Sequence, residues 1–395
     1  AVLLRSSLGF NGAKFFGLIR SLVGIFLFGI QTYFLSKILV YLIRIVIFSI
    51  DNSLLQQEIF IFYYFGMNII DWSAIIITII LQTVFFTVGM QYNKKIINFS
   101  AMTVYAGLLI FFFVVLLSDV KITTEAFSNI FSLNSFLDVN NLAPLLTVAG
   151  TIFAYFSILI ISFGDFSRYV KNEQELKKGN LSLILNLIIF SFFFFFIVIG
   201  SDVFLNQKFS DIDRIFTNPT DIVGKFDNIQ ITIVVLFFII IASASTNLVA
   251  NFIPSQYSLI NFAPSILSLK SASYLIAFFG LLIAIFWLTI LSQIGILSFV
   301  DTFGAFFGPL FGVMAADYYL IKNQELSNKD LYSIDKESAY YYSGGWHIKG
   351  VYSLILGFIF SASTIWNTNL MFLQSYAWII GAFVAWMTYY LLAKK

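Results

Sequence analysis

The sequence predicts an all-α integral membrane protein, and three observations carry that prediction. Of 395 residues, 59% are hydrophobic and 11% charged, and the mean hydropathy is +0.91. A soluble domain carries about 25% charged residues. Ten stretches approach the roughly twenty apolar residues that a spanning helix needs. Positive charge alternates between the connections that join them, as it does in membrane proteins.

Taken in order, the first stretch covers about 17–41 and holds Gln31 and Thr32 among aromatics, with an apolar extension over 41–50. The second, 74–92, holds a similar pair, Gln82 and Thr83, read as an interhelical hydrogen bond. The third is 97–118 and the fourth 143–163. The fourth ends in Asp165 and Arg168, three residues apart, which either pair with each other or neighbouring connections or mark a solvated helix end. The fifth, 180–200, contains the run FSFFFFFIVIG, read as lipid-facing bulk. The sixth, 231–252, ends before Pro254 and contains ASASTNLVAN. The seventh is 273–291. The eighth, 294–320, carries Asp301, Pro309 and a ladder of Gly304, Gly308 and Gly312, the spacing that lets another helix approach closely. The ninth and tenth are 350–370 and 374–393. The connections 119–142 and 201–230 are long and acidic and read as linkers with a small lid.

Ten spans put both chain ends on one side. Sixteen of the 22 basic residues then fall on that side, Arg5, Lys14 and Arg20 among them, and six on the other. The positive-inside rule makes the first side cytoplasmic, so a multi-pass protein of the plasma (inner) membrane with both ends inside is expected. Residues 1–395 read as one transmembrane domain with no soluble domain. The chain starts at Ala1 without a signal-peptide pattern, as an N-terminally truncated chain would.

The same composition narrows the function. There is no cysteine and a single histidine, His347, so thiolate and histidine metal clusters are excluded. No phosphate-binding loop, zinc-protease motif or nucleophile elbow is present, so an enzyme is not expected. No basic surface suited to nucleic acid is present either. What stands out is polarity inside spans, because lipid offers those groups no partner. In the sixth stretch Ala242, Ser245 and Thr246 share one helix face at i, i+3 and i+4. Two hydroxyls and a backbone carbonyl on one face suit either a small hard cation or close helix packing. Asn247 and Asn251 follow, able to tie the helix to its neighbours or to meet a polar ligand. Gln31 offers a donor and an acceptor together, which suits an amide-like solute. Asp301 is an intramembrane carboxylate within about two turns of the span's end.

Four segments, in order, resemble the nucleobase:cation symporter family 1, the permeases for cytosine, uracil, allantoin and hydantoins. They are VLLRSSLGFNGAKFFGLIRSLVGIFLFGIQTYF, DFSRYVKN, ASTNLVAN, and FGPLFGVMAADYYLIKN followed by YYYSGGWHIKG. The resemblance implies a LeuT-like, five-plus-five inverted-repeat transporter with ten of twelve helices present, the first span here being the family's third. It implies a secondary active symporter that imports a nucleobase or related heterocycle by alternating access. The coupling ion is sodium or a proton, with no other cofactor, and the protein is a monomer in the bilayer. It assigns Ala242, Ser245 and Thr246 to half of a sodium site. It assigns Gln31 and Asn251, with Asn247 beside them, to the substrate. The family's two stacking tryptophans correspond to Leu27 and Phe156, a departure that leaves one aromatic face, and the helix break before Phe156 is expected near Tyr155 or Gly150. A non-transporting solute-binding membrane protein, or an inactive truncated permease, is the alternative.

Overall fold

The computed structural model describes residues 2–118, 142–208, 228–293 and 295–394, with Ile222 and a few positions between 120 and 128. Among the described residues ten helices are long and apolar enough to cross a membrane, as the sequence predicts. They are α1 (Leu4–Ile50), α2 (Ile69–Phe86), α3 (Met90–Ser118), α4 (Leu142–Ser167) and α5 (Glu173–Lys208). Helix α6 runs Ile229–Thr246, widens through a π-helical turn at Asn247–Phe252, and continues as Ile253–Phe262. Then come α7 (Leu269–Trp287), α8 (Ile296–Ala315, with a second π-turn at Ala316–Ile321), α9 (Ile348–Trp366) and α10 (Ala377–Ala393).

Several boundaries differ from the hydropathy reading, each for a local reason. The 41–50 extension belongs to α1, since no proline or capping signal interrupts it before Asp51. Helix α2 starts five residues before the expected span, where Asn68 accepts from the Ile70 and Asp71 amides and Asp71 returns a bond to the Asn68 amide, a capping box. Gly89, at φ +113°, turns the chain so that α3 begins at Met90. Pro254 does not end α6. The preceding π-turn places it in the first turn of the next α-helical stretch, where a missing N–H costs least. Helix α4 is unbroken through Gly150 and Tyr155. Gly150 packs against the Ser375 backbone carbonyl instead, leaving no room for a Cβ. The acidic connections 119–142 and 201–230 lie largely outside the described residues.

Helix α1 is the centre of one half, packed on α7, α6 and α2; α8 is the centre of the other, packed on α10, α9 and α4. The main core joins Phe16, Val23 and Leu27 of α1 to Phe307 and Leu310 of α8 and Tyr389 of α10. Between apolar helices in lipid, close packing rather than water exclusion holds elements together, which favours small residues at the contacts. The glycine ladder of α8 serves this purpose: a Cβ on Gly304 would strike Ala154 of α4, and Cβ atoms on Gly308 and Gly312 would strike the Trp378 and Ala382 carbonyls of α10. The phenylalanine run of α5 is exposed over 190–192 and turns inward at Phe196.

The start of α1 is locked to a distant loop. Gly9 adopts φ +83°, a conformation that strains any side chain, and opens the helix at that point. Into the opening fits residues 343–347: His347 N donates to Leu8 O at 2.9 Å and Asn11 N to Gly345 O at 2.7 Å. Tyr342 donates to Ser6 O at 2.6 Å and stacks its ring 4.0 Å from the imidazole of His347. The His347 Nδ1 lies 3.0 Å from Ser7 O.

Candidate functional site

The π-turn of α6 adds a residue to the helix, and turns of this kind recur where a side chain must be re-aimed. Here it brings Asn247 and Asn251 to the contact with α1. Asn251 Nδ2 donates to Gln31 Oε1 and to Asn247 Oδ1, both at 2.9 Å. Gln31 Nε2 donates to Ser243 O at 3.1 Å. Asn247 is fully buried and donates to Phe28 O at 3.2 Å and Thr32 Oγ1 at 3.3 Å. Thr32 lies 2.8 Å from Gln82 Oε1 on α2. The result is one polar seam, Gln31–Asn251–Asn247–Thr32–Gln82, across three helices. Gln82 thus takes the interhelical role read from the sequence, while Thr83 bonds only its own helix, at Ile79 O. Asn247 is committed to α1, so of the two asparagines Asn251 is the one whose carbonyl oxygen has no partner among the described residues.

One turn before the seam, Ser245 Oγ donates to Ala242 O at 3.0 Å and Thr246 Oγ1 to the same carbonyl at 2.9 Å. Three oxygens therefore gather within one turn. Both hydroxyl protons point at the carbonyl, so their lone pairs face outward. Ser245 is half-buried and Thr246 exposed. This donor set fits half the shell of a small hard cation.

Leu27 is buried within the main core, and Phe156 is half-buried, edge-on to Tyr155 at 5.7 Å. The aromatic neighbours of Leu27 point apart. Phe28 packs on Phe252 of α6 at 5.5 Å, and Phe26 faces α8, 4.6 Å from Phe299 and 5.8 Å from Phe303. Of the two phenylalanines that flank Leu27 in the sequence, Phe26 offers its ring together with Phe299 of α8, a partner the sequence did not single out.

Asp165 and Arg168 form no ion pair with each other among the described residues. Arg168 lies 3.9 Å over the Tyr257 ring of α6, and the Tyr257 hydroxyl meets that of Tyr169 at 2.6 Å. Asp165 lies in the field of both Arg168 and Arg20, the latter one of the cations counted as topogenic. Arg20 is 2% exposed. Its Nε donates to Ser162 Oγ at 2.7 Å and an Nη to Ala250 O at 3.0 Å, and Nη1 has no hydrogen-bond partner. Positive-inside counting treats such a cation as exposed. The signal that could have found it is its place on the stripe Arg20–Gly24–Leu27–Gln31, one face of α1. Asp301 accepts from Gln374 at 2.6 Å, at the end of α8 away from its π-turn. Within that π-turn, Asp317 is buried and accepts from the Tyr389 hydroxyl at 2.7 Å. No group of three or more acidic or histidine side chains positioned for a metal occurs among the described residues.

Residues 1–390 match the profile of the family described as permease for cytosine/purines, uracil, thiamine and allantoin. The purine-uracil permease NCS1 of Arabidopsis thaliana is 25% identical over 408 residues, covering all of this chain and 65% of the plant protein. The allantoin permease of Bacillus subtilis (strain 168) is 27% identical over 244 residues, covering 62% of this chain and 48% of its own length. The chain thus spans about half to two-thirds of these curated relatives. Among solved structures, MHP1, a nucleobase-cation-symport-1 family transporter in a closed conformation with bromovinylhydantoin bound, superposes with a TM-score of 0.70 over 99% of this chain and 77% of that one, at 20% identity. Its inward-facing conformation superposes with a TM-score of 0.65. These likenesses show the fold: all-α, multi-pass and LeuT-like, as the sequence implied.

Proposed function

The chain belongs to the family of permeases for cytosine/purines, uracil, thiamine and allantoin, and from that premise we propose that it is a secondary active symporter. It imports a nucleobase or related heterocycle of the uracil, cytosine, allantoin or hydantoin class, coupled to sodium or protons by alternating access. It acts as a transporter and not as an enzyme, in the plasma (inner) membrane, as a monomer with both ends cytoplasmic.

The observation that carries this reading is the bond between Asn251 and Gln31 at the π-turn of α6. Those two side chains offer a carbonyl oxygen and an amide donor where α1 and α6 meet, the complementary pair for the edge of a cyclic amide or ureide. Asn247, Thr32 and Gln82 hold the pair in place. We assign Phe26 with Phe299, and Phe156 on α4, as the apolar faces for a ring, with Leu27 in place of a second stacking ring.

Ala242, Ser245 and Thr246 supply half of the sodium shell. Thr246 and Asn251 are five residues apart, about 7.5 Å along a helix at 1.5 Å per residue. An ion that orders the turn at 242–246 therefore also fixes the start of the π-turn that aims Asn251, and linkage makes the effect reciprocal. If protons drive uptake instead, Asp301 is an available intramembrane carboxylate, hydrogen-bonded to the neutral Gln374 amide.

Uptake of radiolabelled uracil by cells expressing the protein, with and without a sodium gradient and with excess cytosine, allantoin or benzylhydantoin, tests the reading. Sodium-stimulated uptake blocked by one competitor supports it. No uptake and no competition, with the protein present in the membrane, would remove this substrate class.

A further inference from the structure

A cavity of about 670 Å³ opens between α1, the connection leading into α2, and α6. Its α1 wall is a stripe in which Tyr33, Lys37, Tyr41 and Arg44 recur at i, i+4, i+8 and i+11, one helix face. Asp71 faces this stripe from α2 and Tyr63 from the connection. Lys37 Nζ is 2.7 Å from Asp71 Oδ1 and 5.2 Å from the centre of the Tyr33 ring. Asp71 is buried and also accepts from the Asn68 amide, so this pair is a staple whose charges cancel. Arg44 has no carboxylate within 4 Å among the described residues, so the described lining carries one positive charge outside any ion pair. The floor includes Ser243, whose carbonyl accepts from Gln31. The cavity therefore ends one hydrogen bond short of the polar seam.

We propose that this cavity is a second, waiting site for a planar, carbonyl-rich heterocycle carrying negative charge. The ring lies against the tyrosines and an ionised oxygen meets the Arg44 guanidinium. Each alternative class fits worse. A cation would add to the charge of Arg44. An apolar solute would take water from Lys37 and Arg44 without replacing its hydrogen bonds. A neutral ring would leave Arg44 without a counter-charge. The volume suits a small-ligand site, and three tyrosines interleaved with cations give an oxygen-bearing ring both faces and edges to meet. The proposal rests on the reading of the seam as a solute site and extends it to the approach.

Equilibrium binding to the full chain in nanodiscs tests it, with urate as the anionic probe and uracil as the neutral one, for the wild type, Arg44→Gln and Asn251→Ala. Arg44→Gln is expected to weaken urate binding about tenfold, as loss of a charge-assisted hydrogen bond does. Uracil binding should stay within about twofold, which also shows that the variant is folded. Raising the salt concentration should weaken urate in the wild type and have little effect in Arg44→Gln. Asn251→Ala should weaken uracil and leave the salt-sensitive urate site. Equal loss of both probes in Arg44→Gln, or urate binding that depends only on Asn251, overturns the waiting site and leaves the central site standing. Urate binding lost in Arg44→Gln, with no effect of Asn251→Ala on either probe, supports the waiting site while removing the central one.

Discussion

Arg20 on α1 donates to the carbonyl of Ala250 on α6 at 3.0 Å, one residue before Asn251. A fully desolvated guanidinium thus holds the backbone of the π-turn from which the candidate substrate contact projects. Ser162 on α4 takes its Nε, so one side chain links three helices. Replacing it with methionine leaves that carbonyl and hydroxyl unpaired, at about 1–3 kcal/mol for the groups left buried. Arg20→Met should lower the thermal midpoint in detergent and reduce uptake, and Arg20→Lys should restore neither fully, because an ammonium cannot span both acceptors. A wild-type midpoint and uptake rate in Arg20→Met would show that Arg20 is a bystander.

Asn251→Ala removes both bonds that join Gln31 to Asn247. The expected result is a rise of at least about tenfold in the KM for uptake of every accepted heterocycle, the size that one lost buried hydrogen bond gives. Unchanged KM in correctly folded protein would take Asn251 out of the site.

Ser245→Ala with Thr246→Ala deletes the hydroxyls and leaves the Ala242 carbonyl. The sodium concentration for half-maximal uptake should rise about tenfold while KM at saturating sodium stays near wild type. The measurement is a sodium titration of initial uptake rates. A sodium response identical to wild type would end the assignment of this turn to the cation.

The packing glycines give a contrast that needs no transport assay. Gly312→Val forces a branched side chain into the Ala382 carbonyl and should lower the thermal midpoint and the yield of folded protein. Gly179, within helix α5, has nothing within 4 Å of its Cβ position. Gly179→Ala should be neutral or stabilising by up to about 1 kcal/mol, the helix-propensity gain. Equal effects would mean that the α8–α10 approach is looser than described.

Burial lowers the pKa of His347 below its ordinary 6.5, outweighing the Ser7 carbonyl and Asp317, which favour the charged ring. The folded state therefore prefers neutral imidazole. Above the unfolded value of 6.5 the full stability is present, and it falls as pH drops through 6.5 toward the lower folded value. Thermal midpoints measured from pH 7.5 to 5 should decline in wild type more steeply than in His347→Gln. Parallel curves would place the pH sensitivity elsewhere.

Much of the fold was legible because spanning helices obey one dominant rule: backbone groups must be paired inside lipid, and long apolar runs satisfy it. The polar seam was legible for the same reason, since Gln31, Asn247 and Asn251 are costly unless they meet. Which partners they meet was not legible, because the π-turn at 247–252 has no local sequence signature and arises from packing against α1. Asp165 and Arg168 are neighbours in sequence, yet they form no ion pair among the described residues, and Arg168 lies over the Tyr257 ring of another helix. Such pairings depend on helix crossing geometry, which residue periodicity does not encode. The place of Phe299 against Phe26 belongs to the same category.

The docking of residues 343–347 into the opened turn at Gly9 also bears on biosynthesis. The contact between His347 and Ser7 joins residues 340 apart. At about 5–20 residues per second, the ribosome makes the second partner roughly twenty to seventy seconds after the first. During that interval the turn around Gly9 is incomplete, with the Ser6, Ser7 and Leu8 carbonyls lacking their final partners. The nascent chain therefore depends on water, headgroups or the insertion machinery to hold that turn until residues 342–347 arrive. A ribosome stalled before residue 347 is expected to leave a chain that quality-control proteases can recognise at the Gly9 turn.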